Sequence, residues 1–428
     1  MNLSLKIKKR TQPEWLVWLL VFVPFMFGFL FDFLPIPSGL KYIIDVAWVF
    51  LLALCCINLY HQRIIISSQM RFIIGWIVAY LLFTFITYVF NYQSVFYYLM
   101  GIRNNFRYYF AFISFVFFLE KDDIEAYLKI FDIIFWLNSV IMIFQYFALG
   151  YERDNLGGIF GTESGCNGYT NIFFVIICAK SIVYYLSKKE KTWVMLSKCG
   201  MALLLSTLSE LKFFFVEFVF LIIVAVVFSG NSSRKILVIV SGIAAVVVFV
   251  NILFALFPYF SNLTSISNLI QHQTEGYSGA GTIGRLSSIK MVTELFLDTV
   301  PKVLFGLGLG NCGTSTIEFF KTPFYKEYGD IRYFWFSTAH VTLETGYIGF
   351  ALFSGFFILI FVLAAIALKR RLVNENYCRL AIVVALSSIL IVVYNSSLRT
   401  EAAYMIYFIL SLPFAVMKNH EGGEALNE

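Results

Sequence analysis

Arg103 and Arg107 are spaced i, i+4, so a helix carrying them turns both guanidinium groups toward one face. Planar forks held this way suit bidentate contact with phosphate oxygens, and a diphosphate is a natural guest. Arg153 heads a Gly-rich segment, Arg285 follows Gly284 at the start of a helical pattern, and Lys212 stands just past Glu210 where an apolar run breaks. These residues make up a candidate anion-binding set. His340 precedes Glu344 by one helical turn. An imidazole titrates near neutrality and can accept a proton from an acceptor hydroxyl, with the carboxylate orienting it.

Each group also has a plainer reading. Arginines at a membrane boundary snorkel toward lipid headgroups. The segment Gly157-Gly158-Ile159-Phe160-Gly161 reads equally as a turn. Gly306, Gly308 and Gly310 follow no strand, so their pattern signals close helix packing under the loop layer better than a nucleotide site. His340 can simply cap a span, and Glu210 and Lys212 can form a structural pair. The functional reading of the arginines gains weight from topology, which disfavours basic residues on the face where these are expected.

The elements that must position these groups are membrane helices. Of 428 residues, 60% are apolar and only 14% charged, which places the chain in the all-α polytopic class. A window of about 20 apolar residues gives about twelve spans, near 15–34, 42–60, 72–90, 104–119, 130–149, 169–186, 194–209, 213–230, 236–257, 341–368, 380–396 and 401–417. The basic residues Lys6, Lys8, Lys9 and Arg10, then Arg63 and Arg71, Lys188, Lys189 and Lys191, Arg234 and Lys235, and Lys369, Arg370, Arg371 and Arg379 fall on one side. The positive-inside rule makes that side cytoplasmic and puts both termini there. The opposite side then carries Arg103, Arg107, Arg153, Lys212, Arg285, Lys290, Arg332 and Arg399, together with one large loop, 258–340. Within that loop Ile283, Leu286, Ile289, Val292, Leu295 and Val300 share a helical face, as expected of an amphipathic helix at the interface. The chain is read as a single integral-membrane domain, 1–428, with an uncleaved first span and an unstructured tail from Asn419.

Several classes of chemistry are disfavoured. The net charge of +6 records orientation and is no nucleic-acid signal. The four histidines and seven cysteines form no metal-ligand pattern, and the aspartates of the loop face form no paired D-x-D. A Cys166–Cys312 bridge is conceivable because both cysteines fall on the loop side.

Taken in order, these segments resemble the O-antigen polymerase and ligase family (Wzy- and WaaL-like polysaccharide polymerases). Arg153…Gly158-Ile159-Phe160-Gly161…Asn167-Gly168 is similar to the family's external arginine, glycine and asparagine segment. Ser206-Thr207-Leu208-Ser209-Glu210-Leu211-Lys212 is similar to its broken span pair with a polar turn. Gly284-Arg285, Phe305-Gly306-Leu307-Gly308 and Glu344-Thr345-Gly346-Tyr347-Ile348-Gly349 resemble the start, middle and exit of its large loop, so the likeness covers roughly 100–365. Family members commonly carry His-Asn well before the exit motif, whereas here His340 is followed by Val341 and lies close to Glu344.

The resemblance implies a metal-independent, inverting glycosyltransferase with a GT-C-like fold in the bacterial plasma membrane and no cofactor. The implied donor and acceptor are undecaprenyl-diphosphate-linked glycans, polymerised as O-antigen, capsule or exopolysaccharide at the outer face. Membrane lipids and a chain-length regulator protein are the other implied partners. Arg103, Arg107, Arg153, Arg285 and Lys212 would hold the diphosphate, with Arg285, His340 and Glu344 in the catalytic role. Alternatives are an O-antigen ligase, which shares the chemistry but uses a lipid acceptor, and a lipid-linked oligosaccharide flippase or transporter. A non-enzymatic scaffold is a further alternative, disfavoured because it has no need to gather arginines around glycines.

Overall fold

The computed structural model describes residues 12–34, 38–61, 66–163, 165–230, 233–258, 266–275, 282–315 and 317–424. The basic N-terminus Lys6–Arg10 and Arg63 lie outside the described residues, as do the side chains of Asp32, His272 and His420.

Every apolar window of the sequence coincides with a helix. The first nine are α1 (Gln12–Phe33), α2 (Ile43–Tyr60), α3 (Ser68–Phe90), α4 (Val95–Phe118), α5 (Lys121–Leu149), α6 (Asn167–Leu186), α7 (Thr192–Leu208), α8 (Lys212–Phe228) and α9 (Arg234–Leu256). Short helices follow in the loop: α10 (Ile266–Glu275), α11 (Ser288–Phe296), α12 (Val300–Phe305) and α13 (Pro323–Tyr328). Three long helices complete the chain: α14 (Ser337–Arg370), α15 (Glu375–Tyr394) and α16 (Ala403–Glu424). No strand occurs among the described residues. Among the described residues seven helices (α2, α3, α5, α6, α9, α14 and α15) are long and apolar enough to cross a membrane, so the protein is a helical, multi-pass membrane protein. The last helix runs on to Glu424, past the Asn419 where the sequence suggests an unstructured tail.

Burial sorts the helices into a centre and a rim. The apolar window of α6 is 94% buried and that of α15 67%, whereas the figures for α9, α2 and α3 are 17%, 28% and 28%. Large apolar side chains such as Val46, Phe72, Phe85, Ile236 and Val248 therefore face outward, as lipid-facing residues do. The central helices instead carry small and polar residues at their contacts. Ser387 and Ser388 in α15, and Thr170, Asn171 and Ser181 in α6, are all buried. Small side chains let helix backbones approach closely where no water drives association.

A buried ion network pins the half of the bundle remote from the loop. Lys198 of α7 sits 3.0 Å from both Asp132 of α5 and Glu190, and Lys180 of α6 pairs with the same Asp132. Two cations and two carboxylates balance there, so neither lysine is left as an uncompensated buried charge.

Candidate functional site

The loop is fastened to the bundle at a break in α14. That helix runs from Ser337 through Thr345, turns sharply at Gly346 (φ 64°, ψ −171°) and resumes. This backbone region is accessible almost only to glycine. The break frees the carbonyls of Leu343 and Glu344, which accept hydrogen bonds from the N–H groups of Leu307 (2.8 Å) and Gly308 (2.9 Å). Gly306, Gly308 and Gly310 all have positive φ, and a Cβ on Gly310 would lie 2.0 Å from the carbonyl oxygen of Tyr97. The glycine triplet is thus a backbone-to-backbone brace. Gln93 donates to the carbonyl of Leu309 and Asn91 to that of Gly306 (3.4 Å), completing the attachment to the ends of α3 and α4.

Just ahead of the break lie His340 and Glu344. His340 Nε2 is 3.2 Å from Glu344 Oε1, with side-chain exposures of 5% and 2%. The second carboxylate oxygen faces Arg399 Nη2 at 3.8 Å, and the Gly310 N–H also points toward this carboxylate. Arg399 in turn donates from Nε to Asn105 Oδ1 of α4 (3.1 Å). The Tyr333 ring stands edge-on to the imidazole at 5.5 Å while its hydroxyl donates to the carbonyl of Cys312 (2.7 Å). His340 is consequently oriented by a buried carboxylate that Arg399 also faces.

A second cluster gathers beside this one. The segment after α5 dips into the bundle: Gly158 N–H donates to Gln145 Oε1 (2.8 Å) and Ile159 N–H to Asn138 Oδ1 (2.8 Å). Gly158 (φ 65°) admits no Cβ, which would lie 2.0 Å from Asn138 Oδ1. These bonds satisfy irregular backbone below the surface, as a membrane interior requires. They also set Arg153 against the α7–α8 turn, where its Nε lies 3.0 Å from Glu210 Oε1. Both partners adopt left-handed backbone, φ 56° and 54°.

Lys212 sits between the arginines, immediately ahead of the apolar run 213–228. Burial pulls its ammonium down to about 8, Arg285 and Arg153 push the same way, and Glu210 and Asp154 oppose them. Arg285 donates to Gln273 Oε1 (2.8 Å) and lies 4.5 Å over the ring of Tyr394, which itself stacks on Phe213 at 3.9 Å. It also lies 5.8 Å over Phe336, whose carbonyl accepts from the His340 N–H. Arg153, Lys212 and Arg285 therefore converge, and the cluster abuts the helix turn that bears His340.

The two arginines of α4 go elsewhere. Arg103 pairs with Asp45 (2.7 Å) and lies 4.8 Å over Tyr42. Arg107, deeply buried, pairs with Glu401 (3.1 Å) and donates to the Tyr108 hydroxyl (2.6 Å). Tyr169 donates its hydroxyl to the other oxygen of Glu401 (2.7 Å). Burial works against ionisation of Glu401, yet Arg107 and Tyr169 overcome it and hold the carboxyl down at about 2. The i, i+4 spacing thus does not bring the two guanidinium groups to a common point.

In the loop, Ile283 and Val292 are buried as the amphipathic pattern suggests, but Leu286, Leu295 and Val300 are exposed. The expected face does not form on one helix: Leu286 precedes α11, Val300 opens α12, and Leu295 is exposed within α11. Lys290 forms an exposed pair with Glu294, and Arg332 lies over Trp335. Cys166 and Cys312 are free thiols, Cys166 donating to the carbonyl of Asp154. No group of three or more His, Cys, Asp or Glu among the described residues is placed to hold a metal ion.

Sequence reasoning placed Arg399 on the loop side without a role and missed Glu401, Asn105, Tyr169 and Tyr394. The one available signal was Arg399-Thr400-Glu401, a charged pair in the short gap between two apolar runs. Compared with known proteins, the chain matches no family profile and no curated sequence.

Proposed function

We propose that this protein polymerises undecaprenyl-diphosphate-linked oligosaccharide repeat units by metal-independent, inverting glycosyl transfer at the outer face of a bacterial plasma membrane. In this reading the twelve helices that coincide with apolar windows all span, in a GT-C-like bundle with both termini cytoplasmic and the loop outside. The observation that carries it is the convergence of Arg153, Lys212 and Arg285 beside the buried His340–Glu344–Arg399 chain.

The mechanism follows from the chemistry of those groups. An acceptor hydroxyl oxygen attacks the anomeric carbon of the donor from the face opposite the diphosphate. His340 takes the hydroxyl proton as the new C–O bond forms, with Glu344 stabilising the resulting imidazolium. The old C–O bond breaks, and its electron pair leaves on the lipid diphosphate, whose growing charge is met by Arg285, Lys212 and Arg153. The anomeric configuration inverts. Loss of long-chain polymer in Arg285→Ala and Arg153→Ala, at unchanged protein abundance, is the expected result. Normal chain lengths in both variants would remove these arginines from the mechanism. A ligase would use the same groups with a different acceptor.

One observation favours a flippase as a second reading. Glu217 of α8 is fully buried, and ionisable residues inside transporter bundles commonly mark substrate or ion pathways. Single lipid-linked repeats accumulating outside the membrane in a deletion strain support the polymerase, whereas accumulation inside supports the flippase.

A further inference from the structure

The loop's amphipathic pattern is expected to lie at the membrane interface, yet its buried members pack inward. Ile283 and Val292 join Tyr333 and Phe336 in a small core of the loop's own. Contact with lipid falls instead on two short segments that the sequence did not single out. On α12, Val300 is 72% exposed and shares a face with the exposed Leu304, four residues on. Lys302, midway between them, leaves from the opposite face and pairs with Asp298 (2.7 Å). The turn Glu318–Phe320 repeats the division. Phe319 is 77% exposed and Ile317 is exposed too, whereas Glu318 between them is held by Lys321 (2.6 Å) and Lys326 (3.0 Å).

Both segments rest on the same end of the bundle, where α3 stops and α4 starts. Phe305, closing α12, stacks on Phe83 (5.9 Å) and Phe90 (5.8 Å) of α3. Phe96 of α4 stacks on Phe320 (5.7 Å) and meets Phe319 edge-on (5.7 Å). The bundle's own surface there is apolar and open: Phe90 is 68% exposed, and Val95 and Leu99 are exposed on one face of α4. α3 is long and apolar enough to span, and only 28% of its apolar window is buried, so the face carrying Phe90 meets lipid. Loop rings packed onto that face continue it. Exposed apolar side chains scattered singly are ordinary. A patch continuous with a lipid-facing helix, with charged residues on its far side, is how a segment lying in the interface is built.

We infer that α12 and the turn 317–320 are seated in the lipid leaflet on the loop side of the membrane. Val300, Leu304, Ile317 and Phe319 enter the acyl region, while Lys302, Lys321 and Lys326 stay at headgroup level, where their stems can lie along the apolar surface. The partner is the bilayer itself, and the inference does not depend on glycosyl transfer. The glycine brace at 306–310 lies between the two segments in the chain and joins them to α14 and α4, so both are tethered to one end of the bundle.

The experiment uses the full chain in lipid nanodiscs of phosphatidylcholine and phosphatidylglycerol, one copy per disc. Cys56, the exposed thiol among the described cysteines, is first replaced by serine. Val300→Cys, Phe319→Cys and, as the control on the opposite face of α12, Lys302→Cys are each labelled with a nitrobenzoxadiazole fluorophore. Lipid carrying a nitroxide on the acyl chain near the headgroup should remove about half the emission at 300 and 319, as for groups buried roughly 5–10 Å into the headgroup and acyl boundary. Aqueous iodide should quench only the label at 302. Iodide quenching at 300 and 319 with no effect of the nitroxide lipid overturns the inference. Protection of both positions from both quenchers overturns it as well, because protein then covers the patch. Should a variant fail to assemble, the unmodified chain in discs holding a diazirine-bearing acyl chain gives the same answer. Adducts on 300–305 and 317–320 support the seat, and their absence there while α3 is labelled refutes it.

Discussion

Replacing Gly346 by alanine should unfasten the loop from α14. The residue sits at φ 64°, ψ −171°, where any side chain is strained, at a cost of about 1–3 kcal/mol. An added Cβ would also lie 2.4 Å from the carbonyl oxygen of Leu304, a backbone atom that cannot swing aside. Relief requires the helix to continue through the break. That closes the carbonyls of Leu343 and Glu344 to the N–H groups of Leu307 and Gly308, and losing both hydrogen bonds costs roughly 1–3 kcal/mol more. The sum, about 2–6 kcal/mol, is large against ordinary stability, and straightening would carry Glu344 away from Arg399. Gly75 in α3 is the matched control, because a Cβ there meets nothing within 4 Å. Gly75→Ala should be neutral, or stabilising by up to about 1 kcal/mol through helix propensity. The assay is reversible unfolding of the purified protein in mixed micelles, with polymer formation followed in cells. A Gly346→Ala variant as stable and active as Gly75→Ala would refute the account of the kink.

Because burial and its cationic neighbours hold Lys212 at about 8, its charge is present below that pH and lost above it, so the KM for a lipid-linked diphosphate diester should rise as pH passes 8. Lys212→Arg should flatten that rise. Glu401, held at about 2 against an ordinary 4.5, contributes stability that is full above 4.5 and is lost as pH falls toward 2. Glu401→Gln should therefore show a shallower fall in melting temperature over that acid range than the wild type. Lys198→Met leaves Asp132 and Glu190 without their bridging cation and should destabilise the bundle by about 3–5 kcal/mol. It should do so without changing donor KM, a distinction that steady-state kinetics on the folded fraction would check.

The helices were legible because lipid is an unforgiving solvent. A span needs about 20 apolar residues, and that demand marks the sequence whatever the helix packs against. The proximity of Arg153, Lys212 and Arg285 was legible only as a shared side, since nothing local states how three separate loops meet. Arg103 and Arg107 show the limit of periodicity. Their spacing places them on one helix face, but the face is divided between Asp45 and Glu401, and α4 meets both only through tertiary packing. Arg399 carried no motif because its partner, Asn105, lies 294 residues away. The glycine triplet reads as close helix packing; the close approach is there, but it is made by loop backbone braced against the α14 break and the start of α4.

The fastening of the loop bears on how the protein is made. Gln93 and Asn91 find their acceptors 216 and 215 residues further along the chain. Translation at about 5–20 residues per second leaves those amides waiting roughly ten to forty seconds in the translocation machinery or the bilayer. The first helices must therefore be inserted with polar ends still open, and closure falls to the nascent segment around Leu309 only after most of the protein has been synthesised. Biogenesis of this protein is accordingly exposed to interruption late, and a ribosome stalled before the loop would leave a membrane-embedded fragment with unsealed ends for quality-control proteases.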